Sequence, residues 1–215
     1  MNDALFGTPA VEVAPGAVHV PGWLGPDVQA DLVRRCRDWS RGPAGMRRHT
    51  MPRGGTMSVR MASLGWHWAP YSYSRTLPDG TPVQPFPGLL GDLAVRAVRA
   101  AYGTPPAAGA DPYDVALVNF YDAEARMGMH QDRDERSPAP VVSLSLGDTC
   151  VFRFGNTETR TRPYTDVELR SGDLFVFGGP SRMAYHGVPR TRPGTAPAEL
   201  GLRGRLNITI RALGG

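Results

Sequence analysis

His130 and Asp132 stand two places apart in the stretch NFYDAEARMGMHQDRDE, residues 119–135. Along an extended strand such residues share a face. An imidazole nitrogen and a carboxylate oxygen can therefore be offered to one ion while Gln131 turns elsewhere. A third donor is needed, and His186 in MAYHGV is the candidate, well downstream and just after a strand-turn-strand pattern. Two histidines and a carboxylate that leave coordination positions open are the donor set of non-haem Fe(II) oxygenases. HxD alone is a weak signal, because most single histidines serve packing; His19, His49 and His67 are read that way.

The C-terminal RLNITIR adds a second signal. Arg205, Asn207, Thr209 and Arg211 fall on one face and Leu206, Ile208 and Ile210 on the other. The polar face meets either solvent or a barrel lumen. In a lumen the guanidiniums need compensation, since a buried unpaired charge is very costly. A dicarboxylate would supply it, because the planar fork of arginine pairs bidentately with carboxylate. Asn119 and Tyr121 in NFY share a face in the same way and can hydrogen-bond the same small molecule.

The elements that must position these groups are mainly β. The 215 residues suffice for one domain, and 26 Gly with 21 Pro imply many turns and short elements. Strands are expected near VALVNFY, APVVSLSLG, CVFRFG, DVELRSGDLFVFGG, AYHGV and RLNITIR. The fold class is α+β, mainly β: a double-stranded β-helix (jelly-roll) core with two helices of the N-terminal half packed outside one sheet. Helix one starts at Pro26, buries Val28, Leu32, Cys36 and Trp39, and stops at Gly42-Pro43; helix two starts near Pro87, buries Leu89, Leu90, Leu93 and Ala97, and ends at Gly103. Residues 1–22 are expected as an extended arm with AVHV a first strand, and 50–86 as strands or a hairpin followed by a loop. The single domain divides into an extension, 1–112, and a catalytic core, 113–215.

No apolar run approaches the roughly 18 residues of a membrane span, and no N-terminal stretch couples a basic start to an apolar run. A soluble, cytoplasmic monomer is expected. Cys36 and Cys150 are too few for a disulfide framework and read as reduced packing residues. The net charge is +4, and all 24 basic residues are arginine. Arg34, Arg35, Arg37, Arg41, Arg47, Arg48, Arg53 and Arg60 cluster in one span, which reads either as a phosphate-facing surface or as a solvated face.

The set NFY, HQDRDE, SLSLG, FGG, YHGV and RLNITIR, with TMSV, LGW and YSYS upstream, resembles the AlkB family of Fe(II)- and 2-oxoglutarate-dependent dioxygenases that repair alkylated nucleic acids. The likeness runs from about residue 50 to the C-terminus. It implies that His130, Asp132 and His186 ligate Fe(2+), that Arg205 clamps the distal carboxylate of 2-oxoglutarate with Tyr121 in support, and that Arg211, Asn119 and Asn207 address the metal-bound end. Phe120 would point away from the lumen. At the mouth, Trp66 and Tyr71 would contact the base and Gln131 would line the pocket. Asp134 would meet the exocyclic edge of the base, and Glu135 and Arg160 would flank it. Tyr71, Ser72 and Tyr73 in YSYS are similar to a segment that touches substrate.

The implied reaction removes the alkyl group of 1-methyladenine or 3-methylcytosine in single- or double-stranded DNA, with RNA a second candidate, and releases formaldehyde, succinate and CO2. The base must be unstacked, at a few kcal/mol, which aromatic stacking at ~1–3 kcal/mol per base can offset. Two alternatives stay open: the same iron chemistry on a protein or small molecule, and a non-catalytic nucleic-acid-binding jelly roll. The second leaves Arg205 and Arg211 without a partner.

Overall fold

Strand β13 (Arg205–Arg211) is buried at every residue, so its two faces must look into two different interiors. In the computed structural model, which describes residues 9–52 and 54–214, they do. Arg53 and residues 1–8, part of the expected arginine span and arm, lie outside the described residues.

A seven-stranded antiparallel sheet carries β13 near its centre, in the order β1-β2-β11-β8-β13-β6-β3. Its members are β1 (Val11–Ala14), β2 (Ala17–Val20), β3 (Arg60–Leu64), β6 (Val115–Tyr121), β8 (Val141–Gly147) and β11 (Leu174–Phe177). Opposite it stands a four-stranded sheet, β10-β9-β12-β7, built from β7 (Met127–His130), β9 (Thr149–Phe154), β10 (Thr165–Leu169) and β12 (His186–Arg192). The expected run DVELRSGDLFVFGG is thus two strands, β10 and β11, split by the turn at 170–173 between different sheets. A separate hairpin, β4 (His67–Ala69) with β5 (Ser72–Ser74), rides outside both.

Register decides which side chains meet. Arg205 pairs with Tyr121 and Asn207 with Asn119 across β6, while Asn207 pairs with Ser145 and Thr209 with Ser143 across β8. Because side chains alternate, the polar members line the lumen, which Phe175 and Phe177 of β11 fill from the same sheet and Phe152 and Phe154 of β9 from the opposite one. Leu206, Ile208 and Ile210 join Val118, Leu144 and Val176 on the outer face under the helices. Removing Ile208 down to Ala there would cost about 2–5 kcal/mol.

Helices α1 (Pro26–Arg41) and α2 (Gly88–Tyr102) pack on that outer face, as expected. Pro26 opens α1, where its missing N–H costs nothing. Gly103 closes α2 in the left-handed region at φ 75°, which lets its N–H reach Arg99 O. The buried stripe of α1 is rotated from the expected one. Gln29, Leu32, Val33 and Cys36 are inside, and Val28 is 42 % exposed. Gln29 replaces Val28 because its amide donates to Leu24 O and accepts from Ser171 Oγ. In α2, Leu90, Leu93, Ala94, Ala97 and Val98 are buried and Leu89 is partly so.

Two further stretches of the N-terminal half have defined partners. The arm forms the β1–β2 hairpin, which extends the large sheet through β2 and β11, and β3 extends it at the other edge. Three strands from before residue 113 are therefore members of the large sheet. Most of the described arginines in the 34–60 span have local partners. Arg34 and Arg35 pair with Asp31, Arg41 with Asp38 and Arg48 with Asp122. Arg37 caps the carbonyls of Leu200 and Gly201, and Arg60 lies over the outward-facing Phe120 ring. Both cysteines are free and buried, Cys36 on the inner face of α1 and Cys150 in the lumen.

Candidate active site

One donor atom from each of His130, Asp132 and His186 lies within 4.8 Å of the others. His130 ends β7 and His186 begins β12, and the two are register partners. Asp132 sits just beyond the strand, so its approach comes from the chain's turn after His130. Each imidazole is oriented by its own backbone. His130 Nδ1 is 2.9 Å from Gly128 O and His186 Nδ1 is 3.0 Å from Ala184 O. A carbonyl can only accept, so Nδ1 carries the proton and Nε2 presents its lone pair toward Asp132. Burial lowers the His186 pKa to about 4, which keeps the ring neutral as a ligand must be. For Asp132, burial alone would favour the acid, but Arg211 and the two histidines hold the carboxyl well below its usual range. Oδ2 of Asp132 is buried without a hydrogen-bond partner.

The triad opens into a cavity of about 720 Å³ that Asn119, Tyr121, Arg205, Asn207 and Arg211 also line. Arg205 is 1 % exposed. Its guanidinium donates to Ser145 Oγ at 2.9 Å and to the Asp148 carbonyl at 3.4 Å, and its Nε has no partner. No carboxylate of the described residues answers this buried charge. Asn207 is saturated by Ser143, Leu144 O, Asn119 and Thr209, whereas Asn119 Oδ1 is left without a donor. Tyr121 turns its hydroxyl toward Met127 Sδ at 3.8 Å. Two imidazoles and an ionised carboxylate with one orphaned oxygen, beside an uncompensated guanidinium, fit a divalent iron and a dicarboxylate.

The mouth departs from expectation at several residues. Trp66 does not line the cavity; its indole N–H donates to Asp114 at 3.0 Å and Arg75 covers its ring at 3.6 Å. The tryptophan in the wall is Trp68, two residues on, held by Asp134 at 3.0 Å. Asp134 lines the cavity, with one oxygen already engaged by Trp68. Tyr73 and Glu135 are not at the mouth: the Tyr73 hydroxyl donates to Glu135, which is buried between Arg182 and Arg211. Ser72 is exposed on β5 and away from the wall. Tyr71 does line it, 62 % exposed and held at φ 69° in the turn of the hairpin.

Gln131 lines it too, and its amide donates to Thr157 O and Met183 O, tying the loop after β9 to the turn before His186. Arg160, on that loop, lies 5.8 Å from the Tyr185 ring. The wall also holds Arg126 and Arg133, both exposed, which no spacing rule singled out. Among the described residues, none of Arg126, Arg133 and Arg160 is ion-paired.

Residues 16–211 match the 2OG-Fe(II) oxygenase superfamily. An alpha-ketoglutarate-dependent dioxygenase AlkB homolog of Caulobacter vibrioides is 40 % identical over 93 % of this chain and 88 % of its own length. This chain belongs to the AlkB family of 2OG-Fe(II) oxygenases. A DNA N(6)-methyladenine demethylase, ALKBH1D of Arabidopsis thaliana, is 36 % identical over 93 % of this chain, which spans 50 % of that longer protein. The solved structure of OsALKBH1 superposes with a TM-score of 0.84 at 36 % identity, covering 95 % of this chain and all of the other. Membership makes Fe(II) and 2-oxoglutarate the cofactor and co-substrate, and the jelly-roll core is the family's fold. Among the described residues, no helix is long and apolar enough to cross a membrane.

Proposed function

We propose that this protein oxidatively removes alkyl groups from nucleic-acid bases, DNA first and RNA second, releasing formaldehyde, succinate and CO2. The observation that carries the reading is the wall of the single cavity that holds the triad. Among the described residues, it joins a buried guanidinium with no carboxylate to a mouth lined by Trp68, Tyr71 and three arginines free of ion pairs. A polyanion with a stackable base suits that mouth. A small metabolite would leave its arginines idle, and a non-catalytic module would leave Arg205 unanswered.

In this reading His130, Asp132 and His186 hold the iron through Nε2, a carboxylate oxygen and Nε2. Bound together, iron and the keto acid supply the oxidising power for hydroxylating the alkyl carbon. Arg205 takes the distal carboxylate of 2-oxoglutarate, exchanging a costly unpaired charge for a bidentate pair. Tyr121 offers a hydroxyl beside it, and Asn119 its amide N–H at the metal-bound end. Trp68 and Tyr71 stack on the extruded base, Asp134 presents its second oxygen to the base edge, and Arg126, Arg133 and Arg160 hold flanking phosphates. The lumen aromatics Phe152 and Phe177 exclude water from the reacting carbon.

The test is formaldehyde release from oligonucleotides bearing 1-methyladenine, 3-methylcytosine or N6-methyladenine, the last because of the Arabidopsis relative's activity, with a methylated peptide beside them. Release from at least one oligonucleotide that requires 2-oxoglutarate is expected. Release from the peptide alone would overturn the substrate class.

A further inference from the structure

Arg211 has two acidic neighbours, and how it is divided between them bears on whether Asp132 can hold a metal. Its Nη2 donates to Asp132 Oδ1 at 2.8 Å, and its Nη1 to Glu135 Oε1 and to the Tyr73 hydroxyl, each at 3.1 Å. Left alone with one carboxylate, a guanidinium favours two parallel N–H···O bonds, one to each oxygen. Asp132 would then have both oxygens engaged by the arginine. Instead Oδ2 is free of any hydrogen bond and sits 3.6 Å from His186 Nε2.

Glu135 takes the second terminal nitrogen, Nη1, while Nε is buried without a partner. The Glu135 side chain is fully buried and its second oxygen, Oε2, is 3.3 Å from Arg182 Nη2. Arg182 is itself fixed by the carbonyls of Ala139 at 3.0 Å and Asp132 at 2.6 Å. Tyr73 completes the junction, donating to Glu135 while accepting from Arg211. Tyr73 lies on β5, so the hairpin that bears Trp68 and Tyr71 is fastened to the same carboxylate.

We propose that Glu135 is a positioning residue that splits the Arg211 fork, so that Asp132 gives one oxygen to the arginine and keeps the other for the metal. The inference rests on His130, Asp132 and His186 being the iron site, and it assigns Glu135 to the metal centre instead of to the base.

Anaerobic titration of the metal-free protein with Co(II), followed by its visible absorption, tests it. Loss of such partners of a metal ligand weakens binding by about 10–100-fold, and Glu135→Gln is expected in that range. Arg211→Lys supplies the control, because an ammonium cannot engage both oxygens as a fork. In that background Glu135→Gln is expected to change Co(II) affinity no further, whereas a general structural role would add its cost again. Wild-type affinity in Glu135→Gln, or full additivity in the pair, overturns the proposal. Should Glu135→Gln not fold, Glu135→Asp keeps the charge on a shorter arm, and unaltered Co(II) affinity there overturns it equally. A wild-type chain that binds no Co(II) would instead refute the metal centre itself.

Discussion

Arg205 and Arg211 stand at opposite ends of one strand, both buried and both facing the lumen, yet their surroundings are opposite. Arg211 meets two carboxylates and a phenol, and although burial works against its charge, Asp132, Tyr73 and Glu135 hold its pKa well above the ordinary value. Arg205 meets a hydroxyl and one carbonyl. A protein that balances one guanidinium fully and the next hardly at all has left the second balance to a ligand. The completed end is scaffold for the metal, and the incomplete end is a binding site.

The largest effect that could break this contrast is on stability. Arg211→Met leaves Asp132 buried without its arginine and Glu135 with Arg182 alone, and urea denaturation of the metal-free protein should register a loss of about 3–5 kcal/mol. Equal stability would erase the distinction between the two ends. Arg205→Met should behave differently, with metal-free stability equal to or above wild type, because the charge it removes had no carboxylate to lose. Its deficit should appear in 2-oxoglutarate affinity, about 2–5 kcal/mol by titration calorimetry, with oligonucleotide affinity unmoved.

The smallest effect sharpens the comparison with a third solution to burying a base. His49 and His67 lie 5.7 Å apart, centroid to centroid, and His49 stacks edge-on against Trp68. Burial, helped by His67 and Arg47, lowers the His49 pKa from 6.5 to about 4, and burial lowers that of His67 as well. These rings avoid the cost of charge by staying neutral. A depressed pKa contributes stability above the unfolded value of 6.5 that is lost as pH falls toward 4. The unfolding temperature should therefore drop between pH 7 and pH 5, and less in His49→Gln. A drop of the same size in both would remove His49 from the effect.

Alternation alone placed Arg205, Asn207, Thr209 and Arg211 on one face, and the HxD with a distant histidine marked the three donors that the structure gathers. Those signals are local and periodic, and backbone geometry carries them directly. What alternation leaves open is which partner a polar side chain finds across the fold. Glu135 beside a metal motif reads like a substrate contact until Arg182, 47 positions downstream, is seen next to it. Trp66 and Trp68 differ by two residues, and only the stacking of Arg75 and the hydrogen bond to Asp114 set one aside and leave the other in the wall. The arginines of α1 cluster in sequence, but nearby aspartates and helix geometry pair them off.

Strands β6, β8 and β13 lie between the helices on one side and the lumen on the other, and nearly all their residues are buried. Their amide hydrogens should be among the slowest in the molecule to exchange with deuterium, opening only when the whole domain unfolds. The β4–β5 hairpin, with its shorter ladder and exposed tip, belongs to the fast-exchanging class. The chain thus keeps a rigid floor beneath a rim that is anchored to it at Tyr73 and exposed at the tip, where a bulky base can be met.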